Sequence, residues 1–354
     1  MVNSEPLLSV CDLKAYFHLD EGIVKAVDGV TFEVRPNEVL GIVGESGCGK
    51  SVTMKAILRI LEPPGQIESG DILWNRPASG QNSSLIEETI NLTKLDPHGK
   101  EMRAIRGAEI ALIPQEPMSA FSPVHTIGDQ LIEAIRLHRT RDKRKARQIA
   151  IDLLRDVGIP MPEQRLNAYS WQLSGGLRQR AIIAMALSCN PRLLIADEPT
   201  TAVDVTTQAQ VLRLLRELQE RRNAAIIFIT HDLGVIAQMA DYVVVMYLGL
   251  VMEQGPVDAI FHAPKHPYTQ ALLRSIPSVN SIPREELPTI SGSIPHPFNK
   301  PRGCPFHPRC QQAMEGKCDQ RTPALQPVGT PGGAPGGERQ LVSCFLYHDV
   351  ERSS

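Results

Sequence analysis

Along these 354 residues the spacing of apolar positions changes character four times. Residues 6–114 carry short apolar runs that predict strands around one helix: "VLGIVG" (39–44), "GDIL" (70–73) and "EIALIP" (109–114) as strands, "KSVTMKAILRIL" (50–61) as the helix. Between the last two strands, 76–107 is polar and punctuated by Pro, Gly, Ser and Asn, which predicts a surface insertion. From about 127 to 190 the pattern is helical, and "RTRDKRKARQ" (139–148) predicts a solvated helix face rather than a patch for an anionic partner. Strand character returns at "RLLIAD" (192–197) and "AIIFIT" (225–230), separated by a helix whose Val211, Leu212, Leu214, Leu215 and Leu218 form one apolar stripe. "YVVVMYLG" and "LVMEQG" (242–255) predict a hairpin turning at Gly249. Strands alternating with helices imply a mainly parallel sheet with helices on both faces. Beyond about residue 260 prolines become frequent, and "GTPGGAPGG" (329–337) predicts a flexible loop.

Composition narrows the class. Hydrophobic residues at 42% and charged residues at 21% are those of a globular chain with a real core. A net charge of -2 gives no reason to expect a nucleic-acid partner. No run approaches the roughly 20 apolar residues of a membrane-spanning helix. "AIIAMALSC" and "YVVVMYLGLVM" read as a core helix and a buried strand. The N-terminus holds acidic residues and no basic region leading into an apolar one, so a cytosolic chain is expected.

"GESGCGKS", Gly44 to Ser51, has the phosphate-loop spacing G-x-x-x-x-G-K-[ST] between a strand and a helix. Gly44, Gly47 and Gly49 permit the angles that turn successive N–H groups inward around phosphates. Lys50 can reach the β- and γ-phosphates of ATP, and Ser51 can offer its hydroxyl to Mg²⁺. Ser46, Cys48 and Val52 complete the candidate contacts; Cys48 is a small residue at a variable position whose oxidation would obstruct ATP. "LLIADE" carries Asp197 to a strand end, where a carboxylate can hold Mg²⁺ through water; Glu198 is the candidate to polarise the attacking water.

"QLSGGLRQR" (172–180) looks equally suited to phosphate, yet has no lysine and lies far downstream of that loop. With it the chain resembles the ATPase subunits of ATP-binding cassette (ABC) transporters, whose signature L-S-G-G-x-[QR]-[QR]-R stands here as Leu173 to Arg180. Loop, signature and "LLIADEP" occur in the family order. The resemblance implies further roles: Gln115 in "IPQEP" senses Mg²⁺ and the attacking water, Asp204 in "TTAVDV" is the D-loop aspartate, and His231 in "FITHDL" contacts the γ-phosphate. Val203 stands where the family usually has leucine. Phe17, in preference to Tyr16, is implied to stack on adenine. The family pairs two ATPase domains head to tail, which implies that Ser174, Gly175 and Gly176 cover a partner's nucleotide. The implied fold is α/β, a P-loop NTPase of ABC type over 1–260 with a helical subdomain at about 116–188 and an antiparallel β-subdomain.

A minimal cassette would stop near residue 260. Here 261–354 forms an extension, and "ADEPTTAVDVTTQAQVLRLL", "HPYTQALLRSIP" and "GCPFHPRC" resemble the dipeptide/oligopeptide permease subgroup. Cys304-x5-Cys310-x7-Cys318-x25-Cys344 offers four thiolates, enough for tetrahedral Zn²⁺ or a [4Fe–4S] cluster, with plain buried cysteines as the third reading; the resemblance implies the cluster. His307 reads as a surface residue. The implied partners are a second ATPase subunit, identical or not, two integral membrane permease subunits, and an extracytoplasmic substrate-binding protein. The implied location is the cytoplasmic face of the cell (inner) membrane, with residues 116–138 docking on permease loops. The same architecture could import nickel or oligosaccharides. A non-transport ABC ATPase working on DNA or ribosomes would show a long coiled coil or tandem cassettes, and neither pattern is present.

Overall fold

Two long strands open the chain. In the computed structural model, which describes residues 5–77, 86–116, 120–200, 204–275, 290, 292–328 and 340–352, β1 (Leu8–Leu19) and β2 (Gly22–Val34) form an antiparallel hairpin. With β4 (Gly65–Pro77) and β5 (Ile86–Asn91) they make a four-stranded antiparallel sheet in the order β2-β1-β4-β5. The second sheet is built on β3 (Val39–Val43), β6 (Ile110–Ile113), β7 (Leu193–Asp197), β8 (Ala225–Ile229) and β9 (Tyr242–Tyr247), all parallel. Antiparallel β10 (Leu250–Pro256) follows β9 through a two-residue turn in which Leu248 and Gly249 have φ of 44° and 78°, the hairpin expected at Gly249. Two short strands from the C-terminal region, β11 (Gln326–Pro327) and β12 (Leu341–Val342), extend the sheet to the order β11-β12-β10-β9-β3-β8-β7-β6.

Burial explains the unbroken apolar runs. Val39, Val43, Ile226, Phe228, Val243 and Val245 point to one side of the parallel strands, and Leu40, Ile42, Ile227, Ile229, Val244 and Met246 to the other. A strand covered on both faces loses the polar alternation of a half-exposed one. The second side packs on the antiparallel sheet and on α1 (Lys50–Ile57) and α2 (Lys100–Ile105). The first receives α3 (Ile127–His138), α4 (Lys143–Asp156), α6 (Gly175–Ala186), α7 (Val205–Arg222) and α8 (Leu233–Met239), with the short α5 (Pro162–Arg165) against α4. In α7 the predicted stripe is the inner face: Val211, Leu212, Leu215 and Leu218 are buried and Leu214 packs beside them. The basic run at 139–148 is a solvated face, with Lys143, Arg144 and Lys145 exposed and only Ala146 turned inward.

The polar stretch 76–107 is not a surface insertion in its described part. Residues 86–91 form the edge strand β5, and Ile90, Leu92, Met102 and Ile105 are buried beneath it and α2. An edge strand has one neighbour and one covered face, so its sequence "IEETIN" reads as polar. Residues 78–85 lie outside the described residues, as does the predicted loop 329–337. After β10 come α9 (Val257–His262) and α10 (Pro267–Arg274), then irregular chain carrying the cysteines.

Candidate nucleotide site

The phosphate-loop motif leaves β3 and enters α1. Gly44, Gly47 and Gly49 have φ of 152°, 77° and 101°, and a Cβ on Gly44 or Gly49 would lie 2.2 Å from the carbonyl oxygen of Met246 or Ala26. Glycine is required there by angle and by space together. Lys50 is buried and curls over its own loop, Nζ donating to the Gly44 and Glu45 carbonyls at 2.7 and 3.1 Å. Ser46 and Gly47 stand exposed at the tip. Cys48 is 2% exposed, and burial raises its thiol pKa against the pull of Lys50. Such a neutral, covered thiol is a poor target for oxidation. Ser51 and Val52 are half-buried in the first turn of α1.

The C-terminal ends of β6, β7 and β8 bring together residues far apart in sequence. Ser51 Oγ donates to Asp197 Oδ1 at 3.2 Å. Burial raises the Asp197 pKa; the Ser51 hydrogen bond opposes this and the neighbouring Glu198 charge adds to it. Glu198 accepts from Gln115 Nε2 at 2.9 Å on one oxygen and faces His231 Nδ1 at 3.3 Å on the other. Its φ is 46°, a left-handed angle that costs a non-glycine residue about 1–3 kcal/mol and turns the side chain past the strand end. Its N–H donates to the Ile229 carbonyl at 2.9 Å, tying the turn to β8. This is the edge of a parallel sheet where ligands of α/β folds gather.

The signature occupies a different edge. Ser174 is the N-cap of α6, its hydroxyl accepting from Leu177 N at 3.4 Å, and both Ser174 and Gly175 are exposed. A Cβ on Gly175 would meet nothing within 4 Å, whereas on Gly176 it would lie 3.1 Å from Thr207 Cγ2. Asp204 caps α7 through the Thr207 N–H at 2.9 Å and its hydroxyl at 2.7 Å, so signature and Asp204 adjoin. Buried Arg178 ties the loop down by donating to the Ser170 and Leu173 carbonyls at 3.0 and 3.2 Å. Gln179 donates to the Pro199 carbonyl at 2.6 Å, joining α6 to the segment after Glu198. Val203 lies outside the described residues. On β1 the Tyr16 hydroxyl donates to Asp28 Oδ1 at 2.5 Å, while Phe17 packs at Gly65.

Cys304, Cys310, Cys318 and Cys344 line one pocket together with Phe306, Phe345 and His266. Burial, then mutual proximity, pushes the Cys304 thiol up to about 12 and Cys344 to about 11, and burial likewise raises Cys310. Unligated, Cys304 and Cys344 are neutral at pH 7, whereas a cationic centre would favour thiolates. The spacing departs from the sequence expectation: among the described residues, no three or more His, Cys, Asp or Glu form a group that could hold a metal ion. Neither the cluster nor its Zn²⁺ alternative gains support from that geometry. His307, expected at the surface, is half-buried with Nδ1 at 2.9 Å from the Cys304 carbonyl.

Comparison with known proteins meets this geometry. The ABC transporter family matches residues 27–201, and a family described as the oligopeptide/dipeptide transporter C-terminal region matches 252–318. The dipeptide transport ATP-binding protein DppD of Escherichia coli (strain K12) is 46% identical over 319 residues, 90% of this chain and 92% of that protein. The chain belongs to the ABC transporter ATP-binding family. The oligopeptide transport ATP-binding protein OppD of Bacillus subtilis (strain 168) is also 46% identical, over 92% of this chain and 87% of its own. Among solved structures, cbiO1 from Clostridium perfringens, part of the ABC transporter complex cbiONQ, aligns with a TM-score of 0.57 at 25% identity, covering 73% of this chain and 92% of its own. The ATP-binding cassette MJ0796, solved as a dimer bound to ADP and Pi, shares the fold at a TM-score of 0.60 and 24% identity, over 71% of this chain and 98% of its own. As an ABC ATPase the protein binds ATP with Mg²⁺ and hydrolyses it. Among the described residues no helix is long and apolar enough to cross a membrane.

Three residues of this ABC chain were not singled out by sequence. Glu45, inside the phosphate loop, pairs with Arg309 from the cysteine region, and its N–H donates to the Tyr268 hydroxyl at 3.0 Å. Tyr268 is fully buried against Tyr247 and Phe306. A charged residue set between two cysteines in "CPFHPRC", and a tyrosine in "HPYTQ", were the available signals.

Proposed function

We propose that the protein is the ATP-hydrolysing subunit of an importer for dipeptides and oligopeptides. What carries the hydrolytic part of the reading is the convergence on Glu198: a carboxylate held from both sides by Gln115 and His231, beside an Asp197–Ser51 pair, at the mouth of the phosphate loop. In this reading Gly44, Ser46, Gly47, Cys48, Gly49 and Val52 line the phosphates, and Lys50 exchanges its two carbonyl partners for phosphate oxygens. Ser51, Asp197 and Gln115 would hold Mg²⁺, which would supply neutralisation of phosphate charge. Glu198 takes the proton of the attacking water, oriented by Gln115, while His231 faces the γ-phosphate. Phe17 stacks on adenine; Tyr16 is already committed to Asp28. Ser174, Gly175, Gly176 and Asp204 serve the nucleotide of a second ATPase subunit, in keeping with an exposed helix N-terminus that needs no lysine. Glu198→Gln tests the assignment. It should bind ATP as the wild type does and lose turnover at least about a hundredfold; wild-type rates would remove Glu198 from its role.

The partners follow the same reading: two permease subunits and an extracytoplasmic binding protein, with this chain peripheral on the cytoplasmic face of the inner membrane. An apolar groove of about 350 Å³ between Phe121, Leu137, Met185 and Cys189 lies just past Gln115 and is the surface assigned to a permease loop. Movement there would be felt at Glu198 through Gln115. For the four cysteines we infer a [4Fe–4S] cluster with a structural role, on the strength of their spacing and the subgroup resemblance, in a segment too poor in apolar residues to fold unaided. Anaerobically purified protein should be brown and lose its colour in Cys310→Ser. Colourless protein with stoichiometric zinc would overturn the cluster.

A further inference from the structure

The cysteine region reaches into the nucleotide site through one side chain. Arg309 ends a 3-10 turn, His307–Arg309, immediately before Cys310. Its guanidinium donates to both oxygens of Glu45, at 2.7 and 3.1 Å, and to the Tyr247 hydroxyl at 3.2 Å. It lies over the Tyr247 and Phe306 rings, 5.8 and 6.0 Å from their centroids. The Arg309 side chain is 4% exposed and that of Glu45 21%, so water screens the pair weakly. Glu45 is held at its backbone too, its N–H by Tyr268 and its carbonyl by Lys50. The loop around it contains three glycines at positive φ and has little stiffness of its own.

We propose that Arg309 is a positioning residue of the nucleotide site: from the turn between Cys304 and Cys310 it clamps Glu45 and so sets the phosphate-loop backbone for the triphosphate. The proposal rests on reading Gly44–Ser51 as the loop that binds ATP. Two parallel hydrogen bonds to one carboxylate fix orientation as well as distance, which a single lysine contact does not.

The test is the dissociation constant of Mg²⁺ with N-methylanthraniloyl-ATP, measured on the full-length chain. Arg309→Ala and Glu45→Gln should each weaken binding about tenfold, a change of about 1.4 kcal/mol. The double variant should be no weaker than either single one, and Arg309→Lys should recover part of the loss. In turnover assays the loss should appear in KM for ATP, with kcat within about twofold of wild type. If Arg309→Ala does not fold, Glu45→Gln carries the test from the other side of the pair. Affinities within about twofold of wild type in both single variants, or losses that add in the double, would overturn the clamp while Lys50→Ala still weakened binding about tenfold or more. Unchanged affinity in Lys50→Ala would overturn the reading of the loop and the clamp with it.

Discussion

Glu198 shows how much of a site can be read from residues and how much needs the fold. Its place one residue after Asp197, at the end of "LLIADE", is local information that the sequence displays directly. So is Lys50, fixed by a spacing of eight residues. The contacts that give Glu198 its environment are not local, since Gln115 precedes it by 83 residues and His231 follows it by 33. Only the family resemblance suggested them in advance. Arg309 and Glu45, separated by 264 residues, left no trace in spacing at all. At this scale Lys50→Ala should weaken nucleotide binding by about tenfold or more, as loss of a charge-assisted contact would; titration with fluorescent ATP checks it. Glu198→Gln should spare binding and remove turnover, so the two variants separate affinity from chemistry.

At the scale of elements, regular buried structure was legible and edges were not. Strands β3, β7, β8 and β9 announced themselves because burial on both faces demands unbroken apolar runs. The leucine stripe of α7 was equally plain. Leu215, 1% exposed, sits in that stripe, and Leu215→Ala should cost about 2–5 kcal/mol in chemical denaturation. Edge strand β5 was not legible as a strand because Glu88 and Thr89 face water while Ile90 turns inward. Helix caps were present but passed unnoticed: Thr126 and Asp129 exchange side-chain and backbone hydrogen bonds at the start of α3. Thr126→Ala should lower stability by about 1 kcal/mol in the same measurement.

Across the whole molecule, the C-terminal region proves to be an integral part of the fold. β12 pairs with β10, Arg309 holds Glu45, and Lys300 donates to Asp28 at 2.8 Å on β2. Burial alone would raise the Asp28 pKa, but Lys300 and the Tyr16 hydroxyl outweigh it and hold the carboxyl below its usual range. A carboxylate held low stabilises the fold above its unfolded pKa and loses that contribution as pH falls through the folded value. Thermal stability should therefore drop more steeply below about pH 4 in the wild type than in Asp28→Asn. The sequence marked the tail by composition and cysteines, but nothing in it revealed that these long-range bonds would strap the tail to the cassette.

The account depends most on a division of labour, with the phosphate loop serving this chain's own ATP and the exposed signature serving another's. Binding of N-methylanthraniloyl-ATP to a preparation shown by light scattering to be monomeric tests it directly. Ser174→Arg should bind as tightly as the wild type while Lys50→Ala loses binding. If Ser174→Arg weakened binding to the monomer as severely as Lys50→Ala, the signature would belong to the chain's own site and the account would be contradicted.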